Sequence, residues 1–115
     1  MSTSTTKPPL ADRPLVQVAE GTPALEGAAL AALKAELGPS WIVLDGKLRR
    51  EWELPDFSSA LALAVRLGMV AEKLDHHPDL HVSWGKVVVE VWTHTVDGLS
   101  EADFIFAANA EKVGL

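Results

Sequence analysis

Four histidines carry the chemical signal in this 115-residue chain, and all of them fall after residue 75. His76 and His77 are adjacent in Asp75-His76-His77-Pro78, His81 follows four residues after His77, and His94 sits in Thr93-His94-Thr95. Imidazole is the side chain whose unperturbed pKa lies nearest neutrality, so two or three rings in one pocket form an acid–base set. The plain alternative, for any one of them alone, is a helix-end cap or a solvated surface group. Other chemistries are narrowed by composition. The chain has no cysteine, which excludes disulfides, thiolate metal sites and thiol nucleophiles. His77 and His81 have the spacing of a helical zinc pair, but Pro78 breaks the helix between them and no glutamate separates them. A metal site built from His76, His77 and His94 is the alternative to acid–base work. Ser40, Ser58, Ser59, Ser83 and Ser100 stand in no nucleophile-elbow pattern, and Gly46, Gly85 and Gly98 are isolated turn glycines rather than a phosphate loop. What is left is proton transfer on a small neutral or weakly polar substrate.

The elements that must bring residues 76–77 and 94 together are legible from capping and periodicity. Residues 1–21 are rich in Ser, Thr and Pro and are expected to be a flexible tail, with Leu15-Val16-Gln17-Val18 as a patch able to dock or add an edge strand. Residues 22–115 form the domain. Thr22 and Pro23 read as the N-cap and first position of a helix carrying Leu25, Ala29, Leu30, Leu33 and Leu37, stopped by Gly38-Pro39. Alternation from Trp41 to Leu54 around Asp45-Gly46 predicts a hairpin. Asp56 caps a second helix with a broad apolar face (Phe57, Ala60, Leu61, Ala64, Val65, Gly68, Met69, Ala71, Leu74), wide enough for nearly full burial, ended by Pro78. Two strands follow, Leu80 to Ser83 and Val87 to Thr93, turning at Trp84-Gly85-Lys86. Val87, Val89, Val91 and Thr93 should face the helices, with Glu90, Trp92 and His94 opposite. Ser100 and Asp103 make a capping-box pattern for a last helix, in which Phe104, Ala107 and Ala108 face inward. The order helix, hairpin, helix, hairpin, helix gives an α+β domain: a four-stranded antiparallel sheet with three helices on one face.

Charge and hydropathy add exclusions. Ten basic against sixteen acidic residues leave a net charge of −6, which repels a phosphate backbone and argues against direct nucleic-acid binding. Apolar stretches are broken by charge before the ~18 residues of a membrane span. The N-terminal segment has no apolar signal core and reads as a cytoplasmic start. Glu72 lies one helical turn before His76 and either hydrogen-bonds it or is solvated; Asp75 is open in the same way. Trp41, Trp52, Trp84 and Trp92 are core, interface or stacking residues.

Three strings together carry a family likeness. Glu72-Lys73-Leu74-Asp75-His76-His77-Pro78, then Val87 to Thr93-His94, then Gly98-Leu99-Ser100-Glu101-Ala102-Asp103 closely resemble pterin-4a-carbinolamine dehydratases, over roughly Trp41 to Val113. The resemblance implies the same sheet-and-helix fold, association through sheet edges into homodimers or homotetramers, and no metal or organic cofactor. It implies dehydration of 4a-hydroxytetrahydropterin to quinonoid dihydropterin, in the recycling loop of the aromatic amino acid hydroxylases. His76, His77 and His94 would then be the catalytic imidazoles, with Glu72, Asp75, Pro78 and Asp103 binding or orienting. His76 and His94 are expected to exchange the protons while His77 holds the pterin. Asp103 either accepts a histidine's second ring proton or caps its helix, or does both. Leu80, Trp84 and Val96 depart from residues common in the family. The rival reading, also implied by the resemblance, is a dehydratase-like binding module: a transcription-factor dimerisation partner or a RuBisCO-associated protein.

Overall fold

Asp45 (φ 52°) and Gly46 (φ 74°) both take positive φ, the requirement of the two-residue turn that Asp-Gly favours. They close β1 (Ile42–Leu44) onto β2 (Lys47–Glu53). A second two-residue turn, with Gly85 at φ 73°, joins β3 (Asp79–Ser83) to β4 (Lys86–Val91). The computed structural model describes residues 7–114, and its four strands lie antiparallel in the order β1-β2-β4-β3. Leu48 and Trp52 stand opposite Val91 and Val87, and Val89 stands opposite Leu80. Because side chains alternate across a strand, this register collects the apolar set on one face.

That face is covered by α2 (Phe57–Leu74) and α3 (Glu101–Val113), with α1 (Gly27–Leu37) packed against α3, the α+β arrangement expected from the element order. The central helix α3 is buried without interruption from Ala102 to Ala107, so Ile105 and Phe106 join the inward residues read from periodicity. Leu63, Leu67 and Ala71 of α2 close the core from the other side. At the β1–β2 end, fully buried Trp41 donates its indole N–H to Glu111 (2.9 Å), which also receives the Arg50 guanidinium. Arg50 lies over the Trp52 ring at 4.1 Å, and Trp52 meets Trp41 edge-on. Two of the four tryptophans are thus core. Trp84 is exposed at its turn.

Three expectations need correction. Helix α1 begins at Gly27 with Glu26 as N-cap, four residues beyond Pro23, because the Leu25 N–H is taken by the Leu99 carbonyl at 2.8 Å and the backbone runs past α3 before it coils. Strand β4 ends at Val91. Thr93 instead pairs with Gly98 in an isolated bridge, and His94–Val96 form a 3-10 turn, so the regular pleat stops short of His94. Helix α2 is not nearly buried: Phe57, Leu61, Val65 and Met69 form a row at four-residue spacing, each 47–67% exposed. The apolar face read from the sequence combined a core stripe with this second, outward stripe.

Of the N-terminal segment, residues 1–6 lie outside the described residues. Leu10 is buried against α3. Arg13 is clamped between Glu36 (2.6 Å) and Glu101 (3.0 Å). Helix α2 opens on the Asp56 cap as its sequence predicts. The carboxylate accepts the Ser59 N–H at 2.8 Å and the Ser58 hydroxyl at 3.1 Å, and these bonds, Ser59 foremost, hold its pKa below the usual carboxylate value. A carboxyl with a lowered folded-state pKa adds stability above its unfolded value and loses it as pH falls through the folded one. Asp56→Ala should therefore lower the thermal unfolding midpoint at pH 7. That gap should shrink as the pH drops below about 3.9, followed by circular dichroism at 222 nm.

Candidate active site

Everything at the site follows from how α2 stops. Asp75 takes the left-handed conformation (φ 53°), the His76 N–H reaches back to the Ala71 carbonyl (3.1 Å), and the Asp75 N–H reaches the Glu72 carbonyl (3.3 Å). This is a Schellman ending with aspartate where glycine is usual. The reversal turns His76 inward, where it is buried, and leaves the next residue, His77, on the surface. Pro78 then commits the chain to β3.

Buried Asp103 receives His76. Its Oδ1 lies 2.7 Å from His76 Nε2, while Oδ2 accepts the Thr93 hydroxyl at 2.8 Å and the Ser100 N–H at 2.9 Å. The Ser100 hydroxyl donates in turn to Thr93 Oγ1 (2.6 Å), because the Thr93 proton is already committed. A carboxylate with Oδ2 occupied takes the Nε2–H of His76 on Oδ1. This fixes the neutral ring as the Nε2–H tautomer and leaves Nδ1 as its free basic nitrogen. The two readings of Asp103 coincide: it reaches back to its own N-cap and holds a histidine with the same side chain.

His77 Nε2 bonds Glu72 Oε1 at 2.7 Å. Glu72 therefore serves His77 and not His76, a correction that follows from the left-handed residue between them. His94, at the start of the 3-10 turn, stacks on Trp92 with centroids 4.4 Å apart and planes 20° from parallel, and the Lys47 ammonium lies 4.2 Å from the Trp92 centroid. His81 takes no part; it projects from β3 beside Glu90 at 3.5 Å.

His76, His77 and His94 line one cleft of about 220 Å³, together with Gln17, Asp75, Trp92, Thr93 and Thr95. The volume is small beside the ~300–1,000 Å³ of drug-sized sites, so a compact molecule suits it. Glu72, Asp103 and Pro78 are not part of the lining: Asp103 is buried beneath His76, and Glu72 is exposed beside His77. Among the described residues, no group of three or more His, Cys, Asp or Glu side chains could hold a metal ion, and no helix is long and apolar enough to cross a membrane. The capping box of Ser100 and Asp103 is as the sequence predicts, but Thr93 joining it through both side chains was not read, although alternation had already put Thr93 on the helix-facing side, next to the N-terminus of α3. For Gln17 the sequence offered only a short patch in a Pro-rich segment.

Replacing Asp103 with Asn tests the tautomer. The amide oxygen can keep Thr93 and Ser100, which sets an NH2 against a ring N–H. Asp103→Asn should switch His76 to the Nδ1–H form in long-range ¹H–¹⁵N spectra and cost about 1–3 kcal/mol in urea unfolding.

Comparison with known proteins places the chain in a family. Residues 23–113 match the family model described as Pterin 4 alpha carbinolamine dehydratase. A Rickettsia bellii protein provisionally named pterin-4-alpha-carbinolamine dehydratase is 41% identical over 103 residues, covering 89% of this chain and 91% of its own. The mitochondrial pterin-4-alpha-carbinolamine dehydratase 2 of Arabidopsis thaliana is 44% identical over 68 residues, 58% of this chain and 36% of that protein. A Brucella melitensis crystal structure titled transcriptional coactivator/pterin dehydratase superposes with a TM-score of 0.72 at 26% identity, over 80% of this chain and 99% of that one. With its match spanning the domain from the linker before α1 to the last turn of α3, the chain belongs to the pterin 4 alpha carbinolamine dehydratase family of hydro-lyases.

Proposed function

We propose that this protein dehydrates 4a-hydroxytetrahydropterin to quinonoid dihydropterin, with His76 and His94 exchanging the protons and His77 holding the substrate. The observation that carries the proposal is the convergence on one cleft of three imidazoles from two stretches of chain. The reaction balances without a co-reactant. A proton delivered to the 4a-hydroxyl lets the carbon–oxygen bond break and water depart, while the adjacent ring nitrogen gives up its proton and the carbon–nitrogen double bond forms. One group donates and another accepts, and each well-placed group typically contributes ~10²–10⁴-fold.

The environments of the rings suit different parts. His76 is buried and locked by Asp103, so its Nδ1 has a defined direction. His94 is held flat by Trp92 at the opposite stretch of chain, with an exposed edge. His77 is more than half exposed and tethered to a mobile-length Glu72 side chain on the rim, which fits holding better than proton exchange. His76→Ala and His94→Ala should each lower kcat for chemically generated 4a-carbinolamine by about 10²-fold or more. His77→Ala should mainly raise KM. Loss of turnover in His77→Ala at saturating substrate as severe as in the other two would refute this division of labour. A His76→Ala/His94→Ala double variant as fast as the parent would refute the enzyme reading altogether and leave the binding-module alternative.

The outward row on α2 supports a second element of the proposal, that the protein works as a homo-oligomer. Four large apolar side chains in line on one helix are more than a solvated face ordinarily shows. Sedimentation velocity should give a dimer or tetramer, and Leu61→Glu/Val65→Glu should shift it to lower mass.

A further inference from the structure

The N-terminal segment crosses the site and ties together the two loops that bring the histidines. Gln17 Nε2 donates to the Asp75 carbonyl at 2.9 Å, and Thr95 Oγ1 donates to the Val18 carbonyl at 2.9 Å. Gln17 therefore joins the cleft from the 76–77 side, and the next residue is fastened to the 94–95 side. The segment is held upstream by the Arg13 clamp and by buried Leu10.

Apart from the three imidazoles, whose nitrogens stand on opposite sides of a ring, Gln17 alone among the side chains lining the cleft presents a hydrogen-bond donor and an acceptor side by side in one plane. Asp75 only accepts, Trp92 only donates, and the Thr95 hydroxyl proton is committed to Val18. The Asp75 carbonyl can only accept, so it fixes which end of the Gln17 carboxamide is nitrogen. One N–H is used there. The second N–H and Oε1 remain for a ligand, and with the Asp75 carbonyl engaging the N–H that points away from Oε1 they lie side by side in a set order.

We infer that Gln17 is a substrate-recognition residue that reads the lactam edge of the pyrimidine ring, its Oε1 accepting the ring N–H and its Nε2 donating to the neighbouring oxo group. This rests on the pterin reading proposed above and extends it to specificity. A ring carrying an amino group in place of the oxo group presents the reverse order of donor and acceptor. The anchored amide cannot flip to meet it without giving up the Asp75 carbonyl, and mismatched polar groups are costly.

The test uses the full chain and two fluorescent probes, pterin and 2,4-diaminopteridine, with Kd read from quenching, alongside steady-state kinetics on 4a-carbinolamine. The parent should prefer pterin by about tenfold, the scale of one or two neutral hydrogen bonds. Gln17→Ala, an exposed position whose loss leaves the core intact, should bring that preference close to one and raise KM by about tenfold, with kcat within about twofold. An unchanged preference in Gln17→Ala, in a parent that dehydrates its substrate, overturns the role of Gln17 and leaves the activity standing. A fall in kcat with KM unchanged also overturns it, because Gln17 would then act on the histidine loop through Asp75. A parent that neither binds pterin nor dehydrates 4a-carbinolamine removes the functional reading, and this one with it.

Discussion

The structure depends on one carboxylate placed where three elements meet. Asp103 lies fully inside the protein and gathers donors from the loop after α2, from the strand end after β4 and from the cap of α3. A buried carboxylate is tolerated only where its oxygens are hydrogen-bonded. Satisfying it therefore forces the loop after α2, the crossing at Thr93 and the start of α3 into one register. The orientation of His76 follows directly, and the Thr93–Gly98 bridge that launches the His94 turn is held beside it. The packing of the domain and the geometry of its cleft are for this reason the same problem.

Electrostatics elsewhere is of a weaker kind. The helix-free face of the sheet carries Arg49 paired with Glu51 and Glu90, and Lys86 paired with Glu51. Arg49 and Lys86 hold the Glu51 carboxyl below its ordinary pKa. Such exposed pairs contribute little each and fade with salt. They keep an open sheet face polar and soluble without directing the fold. The Arg50–Glu111 pair differs because it lies among Trp41 and Trp52 on the helix side, where it closes one end of the core.

The sequence was most legible where one local rule governed a residue. Asp45-Gly46, the Asp56 cap, the valine face of β4 and the Ser100–Asp103 box all hold, because turn chemistry, capping and two-residue alternation act within a few positions. It was less legible where tertiary contacts compete with local preference. Thr22-Pro23 has the composition of a helix start, yet the Leu25–Leu99 hydrogen bond delays the helix to Gly27. The breadth of apolar residues on α2 did not tell core from exposed stripe, since hydropathy does not register which side meets the sheet. The site was legible as residue types in linked strings. Its internal wiring was not: the pairing of Glu72 with His77 and of Asp103 with His76 depends on a single left-handed residue, and no pattern in Leu74-Asp75-His76 announces its φ.

That residue has a further consequence. Glycine would reach the same dihedral angles without a Cβ penalty, but it would open many neighbouring backbone states to the segment that follows. Aspartate at this corner occupies a narrow well, at a steric cost of about 1 kcal/mol or more. The Ala71 and Glu72 carbonyls hold it there from one side and the Gln17 amide from the other. Rotational freedom is thus removed from the joint by the fold itself, and the His76 ring beyond it is held in one direction at the cleft wall.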